Sequence, residues 1–91
     1  MKAYEWIDQA KKAAGIESDY GIAKALGISR ATVSNYRRNQ GMLDEECAIQ
    51  IAGVIGLKPE AVLIDQLAER TKEPQARSAL FEMAQRVCIL C

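Results

Sequence analysis

Histidine is absent from this 91-residue chain, so the most common general base and metal ligand is missing. The chain also contains no recognisable pairing of a nucleophile with a base and no glycine-rich phosphate loop. These absences lead us to expect a protein that is not an enzyme. We also expect no small-molecule substrate, no metal and no other cofactor.

Cysteines are few, and no apolar run reaches the length of a membrane span. An odd number of cysteines without a signal peptide predicts a reduced, cytoplasmic protein. Cys47 is expected to be a small hydrophobe that is buried or half-buried. The spacing of Cys88-x-x-Cys91 is found in metal and redox sites, but no second pair of ligands accompanies it, so neither role is predicted.

Proline and glycine are also scarce, with two and six copies, while 49% of the residues are hydrophobic. This composition, rich in helix formers, predicts one all-α domain spanning residues 1–91. The net charge is zero, but residues 1–41 contain seven basic and four acidic residues, and residues 42–91 contain five and eight. The basic N-terminal half is suited to contact with a polyanion.

Apolar spacing and capping residues predict five or six helices, with Trp6 in the core. Gly15, Gly27 and Gly56 are placed to end helices, and Pro59 to begin one. Ser18 or Asp19, Ser29 and Asp44 are N-cap candidates. The predicted helices cover approximately residues 2–14, 19–26, 30–38, 45–55, 59–71 and 74–88.

The segment 19–38 has the residue types that two short, closely crossing helices require. Ala23 is small enough for a second helix to cross near it, and Gly27 permits a tight turn with positive φ. The apolar residues between the two helices are expected to be Ile22, Leu26, Ile28, Val33 and Tyr36.

On these residues, and on the stretch from Ile28 to Tyr36, the chain resembles the lambda-repressor-like or Cro-type helix-turn-helix family. The resemblance covers roughly residues 4–70 and extends to small phage-encoded regulators. It implies a lambda-repressor-like fold with residues 18–40 as the DNA-binding segment. It also implies a sequence-specific double-stranded DNA-binding transcriptional regulator, most simply a phage or prophage repressor that acts as a homodimer at the nucleoid.

The family pattern assigns the outward face of the third helix to base recognition, with Arg30 suited to guanine and Asn35 to adenine. The residues expected to read bases are Arg30, Ala31, Ser34 and Asn35. Those expected to contact phosphate are Ser18, Tyr20, Lys24, Ser29, Thr32, Arg37, Arg38, Asn39 and Gln40.

Asp19 departs from the family, which often has Gln at this position to contact phosphate. A carboxylate repels phosphate, so Asp19 is expected to cap its own helix. Backbone amides, Ser18 or Tyr20 are then expected to contact the phosphate instead.

The helices within residues 59–88 are expected to complete the core and form a dimer interface, through Val62, Leu63, Leu80, Phe81 and Val87. Two alternatives remain open. One is a helical protein–protein adaptor that does not bind DNA. The other is a membrane-associated regulator that uses the apolar end, residues 87–91, which is either a natural terminus or the start of a longer segment.

Overall fold

The structure is a computed structural model that describes the backbone of residues 1–90 and the side chains of residues 1–87. Within residues 1–90 it contains six α-helices and no β-strand, which confirms the all-helical prediction. The helices are α1 (Ala3–Ala14), α2 (Asp19–Leu26), α3 (Arg30–Arg37), α4 (Glu45–Ile55), α5 (Pro59–Arg70) and α6 (Pro74–Leu90).

Side-chain caps start α2, α3 and α4, among other helices. The Ser18 hydroxyl accepts a hydrogen bond from the backbone N–H of Gly21 at 2.9 Å and starts α2. Ser29 starts α3 and Asp44 starts α4 in the same way. Because each cap satisfies a backbone donor that the first helical turn leaves unpaired, the predicted starts of α3 and α4 are confirmed.

The core forms where α1 packs against α2, α3 and α4, and α4 packs against α5. The prediction that Trp6 lies in the core is confirmed, and Cys47 is buried rather than half-buried, with 5% and 2% of their surfaces exposed. Helix α6 packs against α5. The largest apolar side chains that are almost completely buried are Ile7, Ile22, Val33, Ile51 and Val62.

Helix α5 differs from its prediction at Val62. Val62 is completely buried within the chain, so its assignment to a dimer interface was wrong. Leu67, another apolar residue of α5, is 47% exposed. The other predicted interface residues are partly exposed: Leu63, Leu80, Phe81 and Val87.

Two polar residues of α5, Asp65 and Gln66, are buried where the apolar pattern gave no reason to expect them. The indole N–H of Trp6 donates to Asp65 at 2.8 Å, and the amino group of Met1 donates to both oxygens of the same carboxylate. The Gln66 amide accepts from the backbone N–H of Leu43 at 3.2 Å and donates to the carbonyl of Met1. Burial is tolerated because these groups are paired.

None of the helices, over the range that the structure describes, is both long and apolar enough to cross a bilayer. Cys88-x-x-Cys91 and the apolar residues Ile89 and Leu90 lie outside the described side chains, so the alternatives that involve them stay predictions.

Candidate nucleic-acid interface

Helices α2 and α3 are eight residues each and are joined by residues 27–29. Gly27 adopts the left-handed conformation with φ 71°, and the next backbone N–H, that of Ile28, donates to the carbonyl of Ala23 at 3.0 Å. This bond ends α2 and turns the chain at once into α3. Both helices are then held by buried side chains: Ile22, Ala23, Leu26, Val33 and Tyr36.

Because Val33 and Tyr36 face the core, the opposite side of α3 faces solvent. The four residues predicted to read bases are all exposed, and their spacing places them on neighbouring turns of one helical face. The structure therefore brings these residues together on one surface: Arg30, Ala31, Ser34 and Asn35.

One member of this face is already oriented by a neighbour. The guanidinium of Arg38 donates to the side-chain oxygen of Asn35 at 2.6 Å. An amide oxygen has a second acceptor site, and the amide nitrogen retains its two donors. Asn35 can therefore still form the two hydrogen bonds that an adenine edge offers.

Arg37 belongs to a different group, an ion-pair cluster made with Asp8, Lys11 and Asp19. Its Nε and Nη2 donate to the two carboxylate oxygens of Asp19 at 3.0 and 2.7 Å, and its Nη1 lies 2.8 Å from Asp8. Lys11 adds a 2.9 Å contact to Asp19. The cluster joins α1, α2 and α3, and a fork-to-carboxylate pair of this kind is geometrically specific.

The cluster shifts the protonation equilibria of its members. Hydrogen bonds from Arg37 and Lys11 hold the pKa of Asp19 well below its usual range. The same pair raises the pKa of Arg37 above its usual value. Asp19 is therefore ionised at neutral pH.

These contacts correct one prediction and bear on another. Asp19 does not cap α2, because Ser18 does so, and its carboxylate binds Arg37 instead. Three of the five N–H donors of Arg37 point at carboxylates, so Arg37 is the least available of the predicted phosphate contacts, and that role stays a prediction. The pairing was not visible in the sequence, because Asp19 and Arg37 are 18 positions apart and meet only when α2 and α3 pack.

The remaining candidates for phosphate contact surround α3. Tyr20, Lys24 and Arg38 are exposed, and Ser29 shares a 2.8 Å hydrogen bond with Thr32 in the first turn of α3. The hydroxyl of Ser18 is occupied as an acceptor at the start of α2, but it can still donate. The exposed loop residues Asn39 and Gln40 follow Arg38 at the end of α3, and Asn39 has φ 57°.

The electrostatics of α3 are suited to an anion. Its first turn contains no acidic residue, whereas the first turns of α1, α2, α4 and α5 each contain at least one. Residues 18–40 contain four basic residues and a single acidic one, Asp19, which the ion-pair cluster neutralises. The positive end of the helix dipole, together with Arg30, therefore meets no local negative charge on α3.

The side of α3 that faces the core is neutral. Burial raises the pKa of the Tyr36 phenol to about 12 and that of the Cys47 thiol to about 11. Both groups therefore remain protonated at neutral pH, and Cys47 lacks the thiolate that a nucleophile needs. Among the described residues there is also no cluster of three potential metal-binding side chains.

Comparison of the chain with protein-family models, with curated proteins and with solved structures finds no significant match.

Proposed function

We propose that this protein is a sequence-specific double-stranded DNA-binding transcriptional regulator. In this proposal α2 and α3 form the helix-turn-helix of a lambda-repressor-like fold, and α3 is the recognition helix. The observation that supports it most strongly is the exposed face of Arg30, Ala31, Ser34 and Asn35, set on a helix whose other face is buried through Val33 and Tyr36.

The chemistry of that face matches base edges in the major groove, where the N-terminal part of a recognition helix lies. The guanidinium of Arg30 can donate two hydrogen bonds to guanine, and Asn35 can pair with N6 and N7 of adenine. Each such pair contributes about 1–3 kcal/mol of discrimination against the wrong base. Ser34 adds a hydroxyl, and Ala31 is small enough to contact a thymine methyl group.

The residues around this face are suited to the DNA backbone. Lys24 and Arg38 supply charge, and the N-terminal amides and hydroxyls of α3 supply donors for phosphate oxygens. Phosphate contacts position a protein on the duplex without reading its sequence. The full set in this proposal is Ser18, Tyr20, Lys24, Ser29, Thr32, Arg38, Asn39 and Gln40.

The proposed regulator acts as a homodimer, because a single module of this size buries too little surface for high specificity. Two copies related by a two-fold axis would place their recognition helices about 34 Å apart, one turn of DNA. The partly exposed apolar residues that could form the interface are Leu63, Leu80, Phe81 and Val87. Repression, and a phage or prophage role, are supported by the family resemblance alone.

A protein–protein adaptor is the second candidate. It is favoured by three large apolar side chains on separate helices, each close to half exposed: Ile49 on α4, Leu67 on α5 and Met83 on α6. Exposed apolar groups of this kind are typical of protein-binding surfaces when they form a contiguous patch. The two candidates differ in which surface binds a partner.

The test is an NMR titration of the ¹⁵N-labelled protein with a mixed-sequence DNA duplex at low salt, where contacts with phosphate are strongest. We expect amide shifts within residues 18–40 and little change in α6. Arg30→Ala should weaken binding about tenfold at about 50 mM salt, because one ionic contact is lost. Arg86→Ala is the charge-matched control, since the side chain of Arg86 on α6 is 72% exposed, and it should bind as the wild type does.

Two results would contradict the proposal. One is the absence of any shift at low salt, which would favour the adaptor. The other is an equal loss of affinity in Arg30→Ala and Arg86→Ala, which would show that the duplex responds to total charge and not to the face of α3.

A further inference from the structure

Arg30 and Tyr20 form a pair at the point where the N-terminal ends of α3 and α2 approach each other. The guanidinium carbon of Arg30 lies over the Tyr20 ring, 5.3 Å from its centroid. This distance is within the range of an attractive cation–π contact. Both side chains are exposed, and Tyr20, at 58%, is the most exposed large apolar or aromatic side chain in the part of the chain that the structure describes.

The position of Arg30 in its own helix makes this contact informative. Arg30 is the first residue of α3, where the helix dipole disfavours a positive charge. Side chains of a helix lean toward its N-terminus, so this one extends beyond the helix end, toward α2. Asp19, the acid nearest in sequence to Tyr20, is already bound to Arg37 and Lys11.

Arg30 has no hydrogen bond or ion pair with any side chain that the structure describes, so the Tyr20 ring is its main local partner. A guanidinium over an aromatic face keeps its N–H groups available around its edge. The same guanidinium can therefore contact the ring and donate two hydrogen bonds to an acceptor in its own plane.

The two side chains also line one notch, with a volume of about 230 Å³, between α2 and α3. Ser34 contributes to the same notch, as do Asp19 and Arg37, which are fixed by the ion-pair cluster. The Tyr20 ring and the Arg30 guanidinium thus lie beside two residues, Asp19 and Arg37, whose positions are fixed by charged hydrogen bonds.

We infer that Tyr20 is a positioning residue that orients Arg30 toward a guanine in the bound duplex, and that its ring, not its hydroxyl, carries this role. The inference depends on the proposed DNA-binding function and adds to it a specificity determinant on α2. It assigns guanine to the base pair that faces the N-terminus of α3. It also replaces the phosphate contact expected of Tyr20 with a contact inside the protein.

The test compares Tyr20→Phe, which keeps the ring, with Tyr20→Leu, which removes it. Specificity is measured as the affinity for the preferred duplex divided by the affinity for the same duplex with that guanine replaced. We expect Tyr20→Phe to preserve this ratio within about twofold and Tyr20→Leu to lower it about fivefold, as loss of an exposed cation–π contact implies. In an Arg30→Ala background, Tyr20→Leu should have no further effect on the ratio.

A second readout needs no DNA. The ring current of Tyr20 should shift the side-chain proton resonances of Arg30 in the free protein. This shift should persist in Tyr20→Phe and disappear in Tyr20→Leu, while the amide spectrum of the remaining chain shows that both variants are folded.

Three results would overturn the inference. The first is an Arg30 resonance that the ring does not shift. The second is a uniform loss of affinity for all duplexes in Tyr20→Phe, which would identify a hydroxyl–phosphate contact. The third is the absence of binding to any duplex while the ring-current shift is present; it would show that the pair exists but that the proposed function has failed.

Discussion

Asp19 links α3 to α1 and α2 through charged side chains. Its carboxylate binds Arg37 from α3 and Lys11 from α1, and Asp8 of α1 binds the remaining side of Arg37. Since α2 and α3 are short, such a cross-link limits how far the exposed face of α3 can tilt. The stability that it provides depends on pH, because the carboxylate must be ionised.

The direction of that dependence follows from the lowered pKa of Asp19. The contribution of Asp19 is fully present above its unfolded-state pKa of about 4. It is lost as the pH falls from there through the lower pKa of the folded state. The side chain is 43% exposed, so solvent screening keeps the contribution modest, at about 1 kcal/mol or less at neutral pH.

We therefore expect Asp19→Asn to lower the free energy of unfolding at pH 7 by up to about 1 kcal/mol. The variant should also lose less stability than the wild type between about pH 5 and pH 2. Urea unfolding across this range measures both effects. Glu17→Gln, which removes an exposed carboxyl group two residues away, should retain the wild-type dependence; an equal dependence in Asp19→Asn would contradict this role.

For single residues, the sequence predicted which side chains of α3 are exposed but not which side chains pair with one another. The exposed face of α3 could be predicted because its spacing is set by Val33 and Tyr36 within the same helix. The pairing of Asp19 with Arg37 depends on how α2, α3 and α1 pack, and no local pattern encodes that distance. The Tyr20–Arg30 contact was missed for the same reason.

At the scale of helices, a glycine that ends a helix can be distinguished from an exposed glycine inside one. Gly27 has φ 71°, in the left-handed region that other residues rarely adopt. Gly53 lies inside α4, is exposed, and has no atom near the space where a Cβ would be added. The same substitution should therefore have opposite effects at the two positions.

We expect Gly53→Ala to stabilise the protein by about 0.5–1 kcal/mol, because alanine is the better helix former. Gly27→Ala should destabilise it by about 1 kcal/mol or more, because its backbone must remain left-handed without steric relief. Thermal or urea unfolding of both variants, each compared with the wild type, measures the two effects. If both variants shifted stability in the same direction, the conformation of the α2–α3 turn would need to be revised.

Helix boundaries were largely predictable because caps are local: Ser29, Asp44 and Pro59 each act within one turn. The buried face of α5 could not be predicted, because this helix has neighbours on two sides, α4 and α6. Residues 61–64 of α5 are all apolar, and such a run does not reveal which of them faces which neighbouring helix. Asp65 and Gln66 are buried only because Met1, Trp6 and Leu43 come from distant parts of the chain to pair with them.

At the scale of the whole molecule, two kinds of surface are presented by different helices. The polar and basic face belongs to α2 and α3, whereas α5 and α6 have partly exposed apolar residues. In the proposed regulator the first surface reads a half-site and the second joins two copies. The base sequence of a bound duplex should therefore show both which half-site is recognised and whether two copies bind together.

The measurement that tests this account most directly is the selection of bound sequences from a random duplex pool. It should be repeated with a protein that carries both Arg30→Ala and Asn35→Ala. We expect the wild type to enrich an inverted repeat whose half-sites are centred about 34 Å apart, and the double variant to lose that enrichment. An enriched single half-site would contradict the dimer, and no enrichment even at low salt would contradict DNA recognition itself.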